Sequence, residues 1–264
     1  MIPKASDKSS LVRRIRRLAR DRSFREEENT YLVEGPQLVV EALESNLKVQ
    51  LVVVSESFSQ DALAAKIVSS GIQCVSISER TFNTLSTTKS PQPAVALVEC
   101  HDKKLEELID SQGTLLVLEE VSDPGNAGTL VRSAESFGMS GVVLVGGVDP
   151  YNPKFVRASA GSLFRVPFTQ ADESQSVLRN LSDFGYLSWA AVPEGGVSPE
   201  TLKEDSPIAV VLGNEPRGLN EETIKACNGR LSVPTVGLSD SLNVAVAGSI
   251  ILYSLRLKFI VQFI

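Results

Sequence analysis

Two kinds of apolar patterning alternate along this chain. Short runs that are apolar at nearly every position read as buried strands: YLVEG (Tyr31–Gly35), VQLVVVS (Val49–Ser55), IQCVSIS (72–78), AVALVEC (Ala94–Cys100), TLLVLEEV (114–121), GVVLVGG (141–147), Phe164–Pro167, Tyr186–Val192, Pro207–Gly213 and Arg230–Val233. Strands without polar alternation belong in sheets covered on both faces, which is the habit of parallel sheets. Between them, apolar residues recur every three or four positions, the period of a helix. The first such stretch runs from a Ser9 or Ser10 cap to about Arg22, with Leu11, Ile15 and Leu18 on one stripe. Others cover Pro36–Leu43, Gln60–Ser69, a short piece near Glu79–Leu85, the segment after SDPGNAG as far as Phe137, NPKFVRASAG, Ser174–Leu181 and a helix from Asn220. Alternation of this kind predicts an α/β protein with a mostly parallel sheet between helices. A polar stretch, HDKKLEELIDSQG, divides it into a small α/β domain over 1–105, a linker over 106–111 and a larger α/β domain over 112–264. His101, the one histidine, reads as solvated within that stretch.

The last part of the chain is the most informative. LSVP is a short strand that Pro234 stops. A loop of small and polar residues follows (Thr235, Gly237, Ser239, Asp240, Ser241), and then a long helix with Ser or Asp at its cap and Asn243 in its first turn. Ala245, Ala247 and Gly248 would let another backbone approach closely. Unpaired N–H groups at a helix start, beside a hydroxyl and an amide, suit a flat polar ligand, although a buried helix with an ordinary cap has the same pattern. The run from Leu242 to Ile264 is interrupted by Asn243, Arg256, Lys258 and Gln262, so it reads as a buried helix and a tail, not a membrane span. The terminal KFIVQFI is an extra strand, an interface segment or an expression remnant.

Composition changes this picture little: 264 residues, 42% hydrophobic and 22% charged, are ordinary for a globular protein of one or two domains. The three cysteines have no paired spacing, so neither a disulfide framework nor a zinc site is expected, and a cytoplasmic location fits. The start lacks the apolar core of a signal peptide. Charge changes the picture more. The first 25 residues carry nine basic side chains against two acidic ones, a local +7 in a chain whose net charge is −6, leaving −13 for the remainder. An acidic protein with one basic arm is built to grip a polyanion at one place. Arg13, Arg14, Arg16, Arg17 and Arg20 are the candidates, because clustered guanidinium groups grip phosphates bidentately; a solvated helix face would look similar. Lys154 and Arg157 could add phosphate contacts.

Three loops that follow strands are rich in glycine and carboxamides. DPGNAGTLVRSAESFG holds Asn126 at a helix start and Arg132 six residues on, nearly two turns along and roughly on the same side. LGNEPRGLN holds Glu215 in a tight Gly/Pro loop. The stretch before the last helix is the third. In a parallel sheet such loops gather at the carboxyl edge, where ligands bind. No GxGxxG follows a strand and no GxxxxGK[ST] is present, which disfavours a nicotinamide-dependent oxidoreductase and a nucleoside-triphosphate cradle. There is no metal-ligand cluster.

NxGxxxR (Asn126, Gly128, Arg132), LGNE..GL (Leu212–Glu215, Gly218, Leu219) and LSVP…SLNVAVA (Leu231–Pro234, Ser241–Ala247) resemble the three motifs of the SpoU family, RNA ribose 2′-O-methyltransferases of the SPOUT superfamily. NPKFVRASAGSLFRVP resembles the segment between the first two motifs. The N-terminal part resembles the small L30e-like substrate-binding domain that many members carry. The resemblance implies a deep trefoil knot at the C-terminus, against the general rule that chains are unknotted. It further implies S-adenosylmethionine bound in the knot, a homodimer, and RNA as partner, rRNA before tRNA. Residue by residue, Leu212, Gly213, Leu231, Val233, Ser241, Leu242 and Asn243 would hold the cofactor. Asn126, Glu215 and Asn243 would orient the reactants, and Arg132 matches the catalytic arginine, with an ion pair to Glu135 or Glu119 as the plainer reading. One departure stands out: Glu215-Pro216-Arg217-Gly218 replaces the usual E-G-x-G. A loop that used glycine at positive φ there must change shape, since proline fixes φ near −65°. An RNA-binding relative that has lost catalysis is the alternative that this departure leaves open.

Overall fold

The structure is a computed structural model that describes residues 2–7, 9–85, 90–109, 113–202, 206–237 and 242–261. It forms two compact units. The first comprises Met1–His101 together with Asp149–Phe164, and the second Asp102–Val148 together with Arg165–Ile264. The first unit thus takes in a segment that the sequence reading leaves with the larger domain.

In chain order the first unit holds α1 (Ser10–Arg20), α2 (Arg22–Glu27), β1 (Thr30–Glu34), α3 (Pro36–Glu44), β2 (Val49–Ser55), α4 (Ala62–Ser69), β3 (Cys74–Ile77), α5 (Glu79–Phe82) and β4 (Ala94–Glu99). Its sheet has the order β1-β4-β2-β3, with β4 antiparallel to both neighbours and β3 parallel to β2. Ser9 caps α1, accepting from Val12 N–H, and Asp21 caps α2, accepting from Phe24 N–H. The buried stripe of α1 is Val12, Ile15, Leu18 and Ala19, and it packs over Leu32, Val53, Val95 and Leu97 of the sheet. Leu11, expected on this stripe, is only half-buried.

Segment 149–164 is fastened here by two ion pairs. Arg25, counted from sequence with the exposed basic arm, is instead buried: its guanidinium binds Asp149 and donates to the Leu18 carbonyl at 2.6 Å. Arg157, on α8 (Pro153–Ala158), donates to Glu34 at 3.0 Å. His101 is not a solvated side chain. Its ring stands 5.7 Å from Tyr31 and 5.9 Å from Tyr151, and Nε2 lies 3.0 Å from the Leu163 carbonyl. The polar letters around His101 hide these aromatic neighbours, which are distant in sequence.

The second unit holds α6 (Leu105–Ile109), β5 (Leu115–Glu119), α7 (Pro124–Ser136), β6 (Gly141–Val145), β7 (Phe168–Ala171), α9 (Ser174–Asp183), β8 (Leu187–Ala191), β9 (Ile208–Leu212), α10 (Glu221–Ala226), β10 (Gly229–Leu231) and α11 (Val244–Val261). All pairings in its sheet are parallel, in the order β10-β8-β9-β5-β6-β7. One face is covered by Leu108 and Ile109, Val177, Leu178 and Leu181 of α9, and Ile224 of α10. On the other, α11 packs against α7, and Gly248 admits the Leu130 and Leu212 side chains, which a Cβ there would meet at about 2.5 Å. Gly248 therefore makes room for side chains, not for a second backbone.

Three expected boundaries move. Phe164–Pro167 is not a strand: Ser162–Phe164 is a 3-10 turn, and the strand starts after Pro167, which has no N–H for a ladder but accepts from Val142. The strand expected over Arg230–Val233 ends at Leu231, because Ser232 N–H turns away to the Val197 carbonyl. KFIVQFI does not begin a strand; helix α11 continues through it to Val261. No helix among the described residues is long and apolar enough to cross a membrane.

Candidate active site

Strands β5 and β9 are neighbours, yet the chain leaves β5 toward β6 and β7, while β9 adjoins β8, and β8 in turn adjoins β10. A sheet opens a crevice at such a reversal, at the carboxyl ends of its strands. Register places the ends together: Leu118 of β5 faces Leu212 of β9, and Ala190 of β8 faces Val211.

Glu215 ties the loops beyond these ends. Its Oε2 accepts from Ser122 N–H (3.1 Å) and Ser122 Oγ (2.9 Å), and its Oε1 accepts from Asp123 N–H (3.0 Å) and Asn126 Nδ2 (3.1 Å). Partial burial works against the charge. The bonds from Asn126 and from the Ser122 and Asp123 backbone outweigh it and hold the carboxyl at about 2. Asp123 caps α7, accepting from Gly125 and Asn126 N–H, with Pro124 in the first helical position. Asn243 extends the network to the third loop: its Nδ2 donates to Asn126 Oδ1 at 3.2 Å, and its own Oδ1 accepts from Ala245 and Val246 N–H. Asn243 is therefore the residue whose side chain caps α11, where Ser or Asp had been expected. Ser239, Asp240 and Ser241 lie outside the described residues.

The second loop accommodates Pro216 without strain. Gly218 N–H donates to the Asn214 carbonyl at 2.8 Å, and Gly218 alone in the loop takes positive φ, +67°. Pro216 sits exposed at the turn. Asn214 donates to the Glu120 carbonyl at 2.9 Å, and Arg217 pairs with the Glu120 carboxylate. Gly213 is required by closeness: a Cβ there would stand 2.4 Å from the Gly218 and Leu219 backbone.

Beside the network lies a cleft of about 430 Å³, within the range of small-ligand sites. Leu212, Gly213, Glu215, Val233 and Leu242, all expected from sequence, line it. Leu231 stands back, buried, with its carbonyl taken by Val192 N–H. The sequence reading missed a fourth post-strand loop, Ala191–Glu194 after β8, which forms one wall, and Ile251, which forms another with Thr235 and Ala247, two residues named from the last stretch without an assigned contact. The signal was present, since Pro193-Glu194-Gly195-Gly196 follows a strand as the other loops do. Glu194 is exposed and makes no ion pair among the described residues.

Arg132 is exposed on α7 and also free of ion pairs among the described residues. Glu135 is engaged by Arg165 and Glu119 by Asn220 and Thr223, so neither carboxylate holds it. It does not share a side with Asn126: six residues advance a helix by about 600°, leaving the two about 120° apart. It stands with Gly125 and Thr129, while Asn126 stands with Ser133.

On the first unit, Arg13, Arg14 and Arg17 of α1 line an open cleft of about 510 Å³ with Phe24 and Glu28. Arg16 leaves it, donating to Thr84 at 2.6 Å, and Arg20 is exposed. Lys154 is exposed, whereas Arg157 is half-buried on Glu34.

The contents of the second unit's cleft fit S-adenosylmethionine. Backbone edges at Gly213–Leu219 can read an adenine, apolar walls can take its face, and the Glu194 carboxylate suits a ligand carrying sulfonium and ammonium charge. The parallel sheet and this cleft suit a methyltransferase that takes S-adenosylmethionine. Residues 113–253 match the SpoU rRNA Methylase family, and residues 9–96 match the MRM3-like substrate binding domain. The chain belongs to the SpoU family. Among its relatives is the 23S rRNA (guanosine(2553)-2′-O)-methyltransferase RlmP of Bacillus subtilis, 33% identical over 229 residues, 86% of this chain and 89% of that one. The 23S rRNA (uridine(2479)-2′-O)-methyltransferase of Streptomyces viridochromogenes is 30% identical over 62% of this chain and 60% of its own. The crystal structure of an AdoMet-bound rRNA methyltransferase from Sinorhizobium meliloti superposes with a TM-score of 0.85 at 30% identity, covering 98% of each chain.

Proposed function

We propose that this protein methylates a ribose 2′ hydroxyl of 23S rRNA in the cytoplasm. The observation that carries the reading is the Asn243–Asn126–Glu215 chain, which locks the three post-strand loops together beside the cleft. The 23S rRNA named for two relatives and the substrate-binding domain matched over residues 9–96 support the choice of RNA.

When bound, S-adenosylmethionine supplies a methyl group on a sulfonium, which leaves as a neutral thioether. Backbone groups of Leu212, Gly213, Val233 and Leu242 would hold it, with Leu231 supporting them from β10, and Asn243 fixes the helix start beside it; Ser241, the other expected contact, lies outside the described residues. Glu215 orients Asn126, and Asn126 orients the ribose. Arg132 grips the phosphate next to the reacting sugar and stabilises the alkoxide as the hydroxyl proton is lost to solvent. It is not the base, since a guanidinium stays protonated in proteins. Positioning supplies most of the acceleration in such a transfer. Arg13, Arg14, Arg16, Arg20 and Lys154 hold the RNA backbone, and Arg17 holds the RNA from the same helix as the first four. Arg157 contributes through its grip on Glu34.

The test is to map ribose methyls in rRNA and tRNA from cells with and without the gene. One 23S rRNA position should lose its methyl; a loss confined to tRNA would move the substrate, and no loss in either would remove the activity.

The trefoil knot and the homodimer belong to the same reading. For the knot, the support is the placement of Asn243, which follows the loop after β10, against the loops after β5 and β9. For the dimer, it is an exposed apolar stripe on α11: Val246, Ile250 and Tyr253, spaced i, i+4, i+7, on the helix that also gives Ala247 and Ile251 to the cleft. Ile250→Arg is expected to halve the mass seen by sedimentation and to weaken cofactor binding. A wild-type protein that sediments as a monomer would overturn the dimer.

A further inference from the structure

The open cleft on the first unit is more than a patch of charge. Arg17 lies with Cζ 4.0 Å above the Phe24 ring, and its Nε donates to Asp21 at 3.1 Å. One face of the guanidinium is thus covered and one edge is tied, while its side chain stays 56% exposed. Arg14 is pinned as well, by Glu28 at 2.8 Å and Gln50 at 3.3 Å. Arg13 has no ion pair among the described residues. A duplex backbone needs only mobile cations in reach. Here a planar cation is held over an aromatic ring and tied at one edge, with more than half of its side chain still exposed, beside a cation without an ion pair among the described residues.

We propose that this cleft is a site for one unpaired nucleotide of the RNA: its base stacks on the outer face of Arg17, backed by Phe24, and its phosphate meets Arg13. Guanidinium planes and aromatic rings are the surfaces on which splayed-out RNA bases stack. The arm then recognises a loop or bulge in the substrate, not duplex as such. This rests on the reading of the protein as an RNA methyltransferase and adds which feature of the RNA the first unit takes.

The test uses the full chain, a stem-loop RNA and the same stem without its loop, with 2-aminopurine placed in the loop. Arg17→Lys keeps the charge and removes the plane; Phe24→Leu keeps apolar bulk and removes the ring. Each should weaken stem-loop binding roughly 5- to 140-fold, the range for loss of one stacked base. Each should also abolish the 2-aminopurine quenching, leave stem binding within about twofold and leave the salt slope unchanged. Unchanged S-adenosylmethionine affinity and melting temperature report that the variants fold. Arg13→Ala should instead lower the salt slope by about one phosphate contact. If Arg17→Lys and Phe24→Leu bind stem-loop and stem as the wild type does while Arg13→Ala alters the slope, the nucleotide site is overturned and the RNA reading stands. If the wild type binds neither RNA, both fall.

Discussion

Replacing Arg132 with alanine is expected to lower turnover by roughly 10²- to 10³-fold, the usual cost of removing one donor aimed at developing charge. Calorimetric affinity for S-adenosylmethionine should stay within about twofold, since Arg132 does not line the cleft. Stability should not change, because an exposed side chain without an ion pair among the described residues can be trimmed within about 0.5 kcal/mol. Structure sharpens this expectation. A guanidinium bound to Glu135 or Glu119 would have been part of the fold, but those carboxylates serve Arg165, Asn220 and Thr223. A cation left unpaired on the outer face of the helix that starts the first motif is held in reserve for an anion from outside. Arg132→Lys keeps the charge but not the bidentate fork, and should recover only part of the rate. Turnover within tenfold of wild type in Arg132→Ala would end its catalytic assignment.

What the sequence disclosed follows from how local each determinant is. Strands β5, β6 and β9 are legible because sheet burial on both faces demands apolar residues at every position, a demand met within five letters. The three loops are legible because small residues, carboxamides and prolines sit where strands stop. Fastening contacts are not legible. Asp149 and Arg157 look like surface charge until Arg25 and Glu34, more than 120 residues away in sequence, are brought to them. The same holds within the site. Glu215 in a tight loop could be an anchor or a reactant, and only its four donors decide that it organises the loops. Pro216 looked like a departure that would reshape the turn. The turn instead places its one positive φ at Gly218, so proline at 216 conflicts with nothing. Helical arithmetic failed for Arg132 through a simple slip of phase: seven residues, not six, return to one side.

The four donors make Glu215 the strongest test of the site's integrity, and its depressed pKa supplies a signature that a passive loop residue would lack. In Glu215→Gln the backbone N–H groups of Ser122 and Asp123, the Ser122 hydroxyl and the Asn126 amide lose a charged acceptor. Hydrogen bonds to charged groups contribute about 1.5–3 kcal/mol net each, but Glu215 is only part-buried and one charge serves all four donors, so a loss near 2 kcal/mol in total is expected. At about 2–4 °C per kcal/mol for domains of this size, the melting temperature should fall by roughly 4–8 °C at neutral pH. The sign of the pH dependence follows from the direction of the shift. A carboxyl held at about 2 in the fold, against an ordinary 4.5, stabilises the protein at every pH above 4.5. That contribution drains away as pH drops from 4.5 toward 2, when folded Glu215 itself takes up a proton. The difference in melting temperature between wild type and Glu215→Gln should therefore be full at pH 7 and pH 5 and shrink markedly by pH 3. Turnover at pH 7 should fall about 100-fold, because Asn126 and, through it, Asn243 lose the anchor that sets them against the reacting sugar, and displacements near 1 Å cost that much. A melting difference that is the same at pH 7 and pH 3 would mean that the charge of Glu215 does not hold these loops together, and the site would have to be rebuilt around another anchor.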